Sequence, residues 1–202
     1  MSMNYLAHIA LAHPSPASQM GNFLGDFAKG TREALRAEWP DELVDGLMMH
    51  RAIDSFTDSH PSFIASKQLI DPSRRRLGGI AIDIFYDHFL SQHWSRFHHE
   101  PRQSFIGEFY QTLEAHPQWW VGGFGNVYQM LRDEDWLSCY LQKDGIQLTL
   151  NRISRRNRSW ISPVANCYDD FLRHYAQFEE HFLALYPDLQ QHAATLSNDT
   201  GH

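Results

Sequence analysis

The stretch VANCYDDFLRHYAQFEEHFLAL, residues 164–185, decides the fold class, because its large apolar side chains recur at spacings of four and three. This spacing places them on one stripe of an α-helix and leaves the charged residues on the other faces. The stripe consists of Val164, Tyr168, Phe171, Tyr175, Phe178, Phe182 and Leu185. We expect Pro187 to end this helix.

The same periodicity extends through most of the chain. It predicts a second strong helix over 79–97 and a third between Pro40, which suits a helix start, and Pro61, which ends it. Further helices are predicted over 3–12, 17–28, 102–115, 123–142 and 145–157. No segment has the sustained alternation of a half-buried strand. We therefore predict an all-α, single-domain helical bundle over residues 1–189, followed by a polar, frayed tail over 190–202.

The composition indicates one globular domain. The 202 residues are 43% hydrophobic and 20% charged, which is ordinary for this class. Two cysteines without a CxxC pair favour a reducing compartment, so we expect a cytoplasmic protein. No apolar run reaches the length of about 18 residues that spans a membrane. The net charge of −7 argues against a nucleic-acid partner.

The third predicted helix carries a polar column. His50, Asp54 and Asp58 are four residues apart, so they lie one helical turn above each other. An imidazole and a carboxylate in this arrangement can bind one divalent ion. Arg51 lies beside the column and has a planar guanidinium that can hold a phosphate.

The helix over 79–97 repeats the pattern with Asp83, Asp87 and His88 along an apolar frame. Carboxylates buried without a partner are costly, and a shared metal ion would satisfy them. His8 and Asp26 lie upstream as further candidates. Spacing alone leaves the alternatives open: a hydrogen-bonded core histidine at 8, a capping aspartate at 26 or 58, and a solvated pair at 50 and 54.

Five motifs in this order resemble the acyl carrier protein phosphodiesterase family. They are MNYLAH (3–8), GNFLGDFAKG (21–30), HRAIDSFTDSHP (50–61), RRRLGGI (74–80) and DIFYDHFL (83–90). The resemblance implies an all-helical fold related to the HD phosphohydrolases in a divergent arrangement. It also implies Mn²⁺-dependent hydrolysis of holo-acyl carrier protein, which releases 4′-phosphopantetheine. The order Asp87-His88 replaces a plain His-Asp doublet, so individual ligands do not transfer from ordinary HD enzymes.

The resemblance and the polar columns together give a predicted site. The metal ligands are drawn from Asp26, His50, Asp54, Asp83 and His88, with Asp87 as a ligand or general base. Arg51 and Lys29 are the predicted phosphate-binding residues. His8 and Asp58 are predicted to contact the metal ligands without binding the metal themselves. Mn²⁺ suits these donors, with Mg²⁺ or another divalent ion as the alternative.

An acidic carrier protein would be repelled by a chain of net charge −7 unless local basic patches guided it. Two patches are predicted to dock it: Arg74, Arg75 and Arg76, and Arg152, Arg155, Arg156 and Arg158. Two alternatives stay open. One is an HD-type phosphohydrolase acting on a nucleotide or another small phosphate ester, and the other is a helical module that binds the carrier without hydrolysing it.

Overall fold

The computed structural model describes residues 5–155 and 159–199, and every regular element within these ranges is helical. The α-helices in chain order are α1 (Tyr5–Leu11), α2 (Pro16–Leu24), α3 (Arg32–Arg36), α4 (Asp41–Ser59), α5 (Pro61–Leu69), α6 (Gly78–Gln92), α7 (Trp94–Phe97), α8 (Arg102–Ala115), α9 (Gly125–Asp133), α10 (Trp136–Cys139), α11 (Lys143–Ser154), α12 (Cys167–Arg173) and α13 (Tyr175–Asp199). Short 3₁₀ segments cover Arg75–Leu77, Pro117–Trp119 and Ser159–Asn166. The all-α prediction is confirmed, and the relation to HD phosphohydrolases stays a prediction.

Helix α6 lies at the centre of the hydrophobic core. Its residues 81–91 are all buried, as expected for a helix that other helices enclose on every side. The ring of Phe85 lies 4.7 Å from that of Phe171 in α12 and 5.1 Å from that of Phe178 in α13. The polar residues of α6 must therefore find their partners inside the protein. Among the described helices, none has both the length and the apolar character needed to cross a bilayer.

The junction between α4 and α5 places two helix boundaries on one residue. His60 leaves the helical conformation and ends α4. Its Nδ1 accepts the backbone N–H of Ser62 at 3.2 Å, which caps the start of α5. Pro61 occupies the first turn of α5, where its missing N–H is not needed. The end of the third helix is thus confirmed, but α5 is missing from the predicted set because Pro61 also begins a helix.

Three predicted helices are divided in the structure. The segment 164–185 breaks at His174, which separates α12 from α13, and Val164 lies in the 3₁₀ segment before them. The segment 79–97 breaks at His93, which separates α6 from α7. The segment 123–142 breaks at Asp135, whose φ of 42° lies in the left-handed region that aspartate tolerates better than most residues. The carboxylate of Asp135 accepts the N–H of Ser138 at 3.3 Å and so starts α10.

Helix α13 continues through Pro187 to Asp199, so the prediction that Pro187 ends it is wrong. The face beyond the proline is packed: Leu189 and Ala193 are buried, and the ring of His192 stacks on Phe56 with centroids 4.4 Å apart. This packing offsets the backbone hydrogen bond that a proline removes. The predicted domain limit at residue 189 falls inside the helix and stays a prediction.

Helices α2 and α4 approach each other backbone to backbone. A Cβ at Gly21 would lie 2.3 Å from the carbonyl oxygen of Leu43, and a Cβ at Gly46 would lie 2.6 Å from that of Ser18. The Cα of Gly21 is itself 3.0 Å from the Cβ position of Gly46. Any side chain at either glycine would force the two helices apart, because backbone atoms cannot move aside as a flexible side chain can.

We expect Gly46→Ala to lower the free energy of unfolding by about 1–3 kcal/mol, the usual cost of overpacking a tight contact. Gly107→Ala in α8 is the matched control, because a Cβ there meets no atom within 4 Å. That control should stabilise the protein by about 0.5–1 kcal/mol, since alanine suits a helix interior better than glycine. Urea denaturation followed by circular dichroism measures both, and equal stability of the two variants would contradict this account.

Candidate functional site

His8, His50 and Asp54 form a polar cluster where α1 meets α4. The Nε2 atom of His8 lies 3.0 Å from Oδ1 of Asp54, and the Nε2 atom of His50 lies 3.3 Å from Oδ2. The two imidazole rings stack with their centroids 3.9 Å apart. Asp26 approaches from the segment after α2, with its Oδ1 3.7 Å from His50 Nε2. One carboxylate therefore bridges two histidines from different helices.

Helix α2 sets the orientation of His50. A Cβ at Gly25 would lie 2.2 Å from Cγ of the imidazole, so the glycine leaves the space that the ring occupies. His50 Nδ1 donates to the backbone carbonyl of Asn22 at 2.7 Å, which turns Nε2 towards Asp54. A hydrogen bond from the far ring nitrogen to a carbonyl is a common way to orient a metal-binding histidine.

Asp87 holds α1 in place and is not part of the cluster. Its two carboxylate oxygens accept the backbone N–H groups of Leu6 and Ala7, each at 2.9 Å. Burial raises the pKa of Asp87 to about 8, while these two amide bonds act in the opposite direction. Both oxygens satisfy the first turn of α1, and the role of Asp87 as a metal ligand or general base stays a prediction. The carboxylate thereby fixes the helix that carries His8.

The protonation of the cluster follows from its packing. Burial disfavours the charged form of His50, but Asp26 and Asp54 outweigh this effect and raise its pKa to about 9. Burial and the neighbouring His50 lower the pKa of His8. Asp54 is also partly desolvated, yet its contacts with the two histidines hold its pKa well below the usual range. Without a metal, the cluster is therefore an ion pair between His50 and the carboxylates, with His8 neutral.

The donor set of the cluster fits a divalent metal ion. One ligand atom from each of His8, His50 and Asp54 lies within 4.8 Å of the others. The Nδ1 atom of His8 is buried and has no hydrogen-bond partner among the described residues. Imidazole and carboxylate groups are common ligands of first-row divalent ions, and three such ligands leave positions open for water or substrate.

A cavity of about 390 Å³ opens beside the cluster and shares Asp54 with it. Asp83 of α6, 8% exposed, lines the same cavity, and so does Asp58 at its rim. Asp58 also forms an ion pair of 3.1 Å with Lys67 of α5. The predicted polar column of α4 is thus present, and it leads from the buried His50 to the solvent. Lys67 is missing from the predicted site because α5 is missing from the predicted helices.

His88 is placed away from the cavity. Its Nδ1 lies 2.8 Å from the carbonyl of Tyr140, and its Nε2 lies 2.9 Å from the hydroxyl of Tyr175. Burial lowers its pKa, so the ring is neutral and can donate one of these bonds and accept the other. Both ring nitrogens have partners in the core, and the role of His88 as a metal ligand stays a prediction.

The two predicted phosphate-binding residues also lie elsewhere. Arg51 donates to the carbonyls of Gly30 at 2.8 Å and Ala28 at 3.3 Å, so it ties the segment after α2 to α4. Lys29 is exposed and lines a different cavity with Trp39 and Gly122, among other residues. Neither side chain lines the cavity shared by Asp54 and Asp83, and their phosphate-binding role stays a prediction.

The three consecutive arginines have different surroundings. Arg74 forms a two-pronged ion pair with the fully buried Asp170, at 2.7 and 2.9 Å, and its docking role stays a prediction. Arg75 and Arg76 line the cavity. Their charged groups donate to backbone carbonyls, Arg75 to Ile70 at 3.3 Å and Arg76 to Trp160 at 3.4 Å.

The second basic patch is only partly described. Arg152 pairs with Glu134 and lies 4.1 Å from the ring centroid of Trp136, so most of its surface is covered. The docking role of Arg152 stays a prediction, as does that of Arg155, which is exposed. Arg156 and Arg158 lie outside the described residues, and their docking role stays a prediction.

The family model described as "Acyl carrier protein phosphodiesterase" matches residues 3–189. This chain belongs to that family. Relatives named "Acyl carrier protein phosphodiesterase" from Klebsiella pneumoniae (strain 342) and Salmonella agona (strain SL483) are each 34% identical to it. The matches cover 94% and 95% of this chain and 96% and 98% of the relatives. No solved structure matches the chain significantly.

The motif at 50–61, through which the chain resembles the acyl carrier protein phosphodiesterase family, supplies both His50 and Asp54 of the cluster.

We expect Asp54→Asn to weaken Mn²⁺ binding by more than about 100-fold, since groups that only orient a ligand already contribute about 10- to 100-fold. Asp58→Asn is the matched control, because it removes the same charge one turn further along α4 without touching the histidines. Isothermal titration calorimetry gives both affinities, and circular dichroism confirms that the helices persist. Similar losses in the two variants would rule out Asp54 as a ligand.

We expect Arg74→Ala to lower the free energy of unfolding by about 3–5 kcal/mol, because it leaves the carboxylate of Asp170 buried without its cation. Arg76→Ala removes the same charge at an exposed position and should change stability by less than about 0.5 kcal/mol. Guanidinium denaturation compares the two variants. A docking role for Arg74 would instead leave its stability close to that of the wild type.

Proposed function

We propose that this protein is a cytoplasmic, metal-dependent phosphodiesterase that hydrolyses holo-acyl carrier protein to apo-acyl carrier protein and 4′-phosphopantetheine. The observation that carries the proposal is the cluster of His8, His50 and Asp54 at the edge of a cavity with cationic residues. A metal ion bound by the cluster and an anionic ester bound by the cationic residues would lie next to each other in this cavity. The family supports the choice of substrate, because its members are named for the acyl carrier protein.

The proposed metal ligands are His8, His50 and Asp54, with Asp26 close to His50 and Asp83 across the cavity. We favour Mn²⁺, with Mg²⁺ or another divalent ion as the alternative. A bound divalent ion would lower the pKa of a coordinated water and offset negative charge on the phosphoryl oxygens. His50 must lose its proton to act as a ligand, so metal binding releases a proton at neutral pH.

The chain offers no activated thiol as an alternative nucleophile among its described residues. Burial raises the pKa of Cys139 to about 11 and that of Cys167 to about 12, so both remain protonated at neutral pH. A protonated thiol is a poor nucleophile. Neither cysteine lines the cavity that holds Asp54 and Asp83. Water is therefore the proposed attacking group.

The mouth of the cavity is the proposed docking surface for the carrier. Arg75 and Arg76 line it, although the chain as a whole has a net charge of −7. A local positive patch can guide an acidic protein to this position against the overall repulsion. Trp160, 46% exposed, adjoins Arg76 through its backbone carbonyl, and aromatic residues next to arginine are frequent at protein interfaces. Arg155 stays a further proposed contact.

Incubation of the protein with Mn²⁺ and holo-acyl carrier protein should release 4′-phosphopantetheine, and a chelator should stop the release. Mass spectrometry of the carrier measures the loss of the group. In water labelled with ¹⁸O, the label should appear on the released phosphate, because attack by water at phosphorus leaves the carrier serine with its own oxygen. Label on the carrier would contradict this mechanism.

Either of two results would contradict the proposal and favour another function. A carrier that binds but keeps its mass would mean a binding module without hydrolytic activity. Hydrolysis of small phosphate esters at a kcat/KM equal to that for the carrier would favour the small-ester phosphohydrolase. Glu108→Gln is the control for activity, because this exposed carboxylate of α8 lies outside the cavity.

A further inference from the structure

The cavity beside Asp54 has two walls of opposite charge. Asp54, Asp58 and Asp83 supply carboxylates from α4 and α6, and Lys67, Arg75 and Arg76 supply cations from α5 and the adjoining 3₁₀ segment. The volume of about 390 Å³ lies within the range of small-molecule sites. The cationic wall is formed by elements that the metal cluster does not use. It therefore needs an explanation of its own.

The two arginines of this wall keep their charge available. Arg75 donates to the carbonyls of Ile70 and Gln68, each at 3.3 Å, and Arg76 donates to a carbonyl at 3.4 Å. These contacts position the guanidinium groups but do not neutralise them. Within the described part of the chain, no carboxylate forms an ion pair with either residue, in contrast to the pair between Arg74 and Asp170.

Lys67 is held at the cavity by an exposed ion pair and by a contact with an aromatic ring. Its Nζ lies 3.1 Å from Asp58, whose side chain is 67% exposed, and 4.6 Å from the ring centroid of Phe63. An exposed ion pair of this type contributes little to stability, so an anion of higher charge can replace the carboxylate. Asp58 then acts as a competitor that keeps Lys67 over the cavity while no ligand is bound.

Two further features of the cavity favour an anion. Gly79 and Ile80 belong to the first turn of α6, a helix of 15 residues whose amino end is positively polarised, and both line the cavity. Thr57 also lines it, and its hydroxyl is buried without a hydrogen-bond partner among the described residues. A buried hydroxyl without a partner is uncommon and indicates a missing ligand or water.

We infer that Lys67, Arg75, Arg76 and the Thr57 hydroxyl form a subsite that binds the phosphoryl oxygens of an anionic phosphate ester next to Asp54. The inference rests on the proposed function for the identity of the ester, but the subsite itself follows from the cavity. The planar forks of arginine match the oxygens of a phosphoryl group, and lysine adds a point charge. Lys67 exchanges Asp58 for the phosphate when the ester binds.

The test uses the full-length protein and inorganic phosphate in a buffer without divalent ions. The measured affinity then reports phosphate binding by the cationic residues, without a contribution from a bound metal. Isothermal titration calorimetry gives the affinity. Arg75→Ala and Lys67→Ala should each weaken phosphate binding by about tenfold or more, the usual effect of losing a charged hydrogen bond. Lys67→Arg should restore most of it. Asp58→Asn should strengthen binding, because it releases Lys67 from its competitor.

Arg96→Ala is the matched control, since it removes an exposed arginine outside the cavity. An equal loss in this control, no detectable phosphate binding by the wild type, or unchanged affinity in Arg75→Ala and Lys67→Ala would each overturn the inference. The proposed function fails separately, through an unchanged mass of the carrier. Hydrolysis of the carrier by a protein whose phosphate affinity does not depend on Lys67 or Arg75 would retain the function and remove this subsite.

Discussion

The backbone contact between α2 and α4 at Gly21 and Gly46 is the constraint on which the candidate site depends. With no side chain between them, the two helices are close enough for the carbonyl of Asn22 to accept the Nδ1 proton of His50. The same closeness would place a side chain at position 25 inside the imidazole ring, so this position must be glycine. His50 is thus fixed by the packing of one helix against the next, and Asp54 follows it one turn later on α4. A site built on two rigid helices in this way needs little reorganisation to receive a ligand.

The buried side chains of Asp87 and His88 in α6, together with Asp170, have structural roles. Asp87 satisfies the first amides of α1, His88 links two tyrosines from other helices, and Asp170 is neutralised by Arg74. Each would be costly in an apolar core without these partners. Among the described residues, the cluster around Asp54 is the one that combines buried imidazoles with a carboxylate that reaches a cavity. What distinguishes the cluster from the structural residues is therefore that one of its carboxylates reaches a cavity. Burial alone does not distinguish them.

The charge distribution at the cavity suits a phosphodiester. Carboxylates on α4 and α6 favour a cation, while Lys67, Arg75 and the amino end of α6 favour an anion, and the two environments meet inside one cavity. A protein of net charge −7 can hold an anionic ester only where such a local excess of positive charge exists. In the proposed function, Arg75 and Arg76 contact both the reacting group and the carrier around it, whereas Arg74 pairs with the buried Asp170.

The sequence by itself determined the all-α class, the course of α4 and α8, and the column of His50, Asp54 and Asp58, because these depend on spacing along one helix. It could not separate Asp83 from Asp87, since both lie on a helix that is buried on every side and the direction of each side chain depends on its neighbours. The tertiary structure alone decided that Asp87 faces α1, that His8 reaches Asp54, and that Pro187 remains inside α13. It also placed Lys67 at the cavity, because α5 packs beside α6. These outcomes depend on contacts between residues far apart in the chain, which no local pattern of side chains encodes.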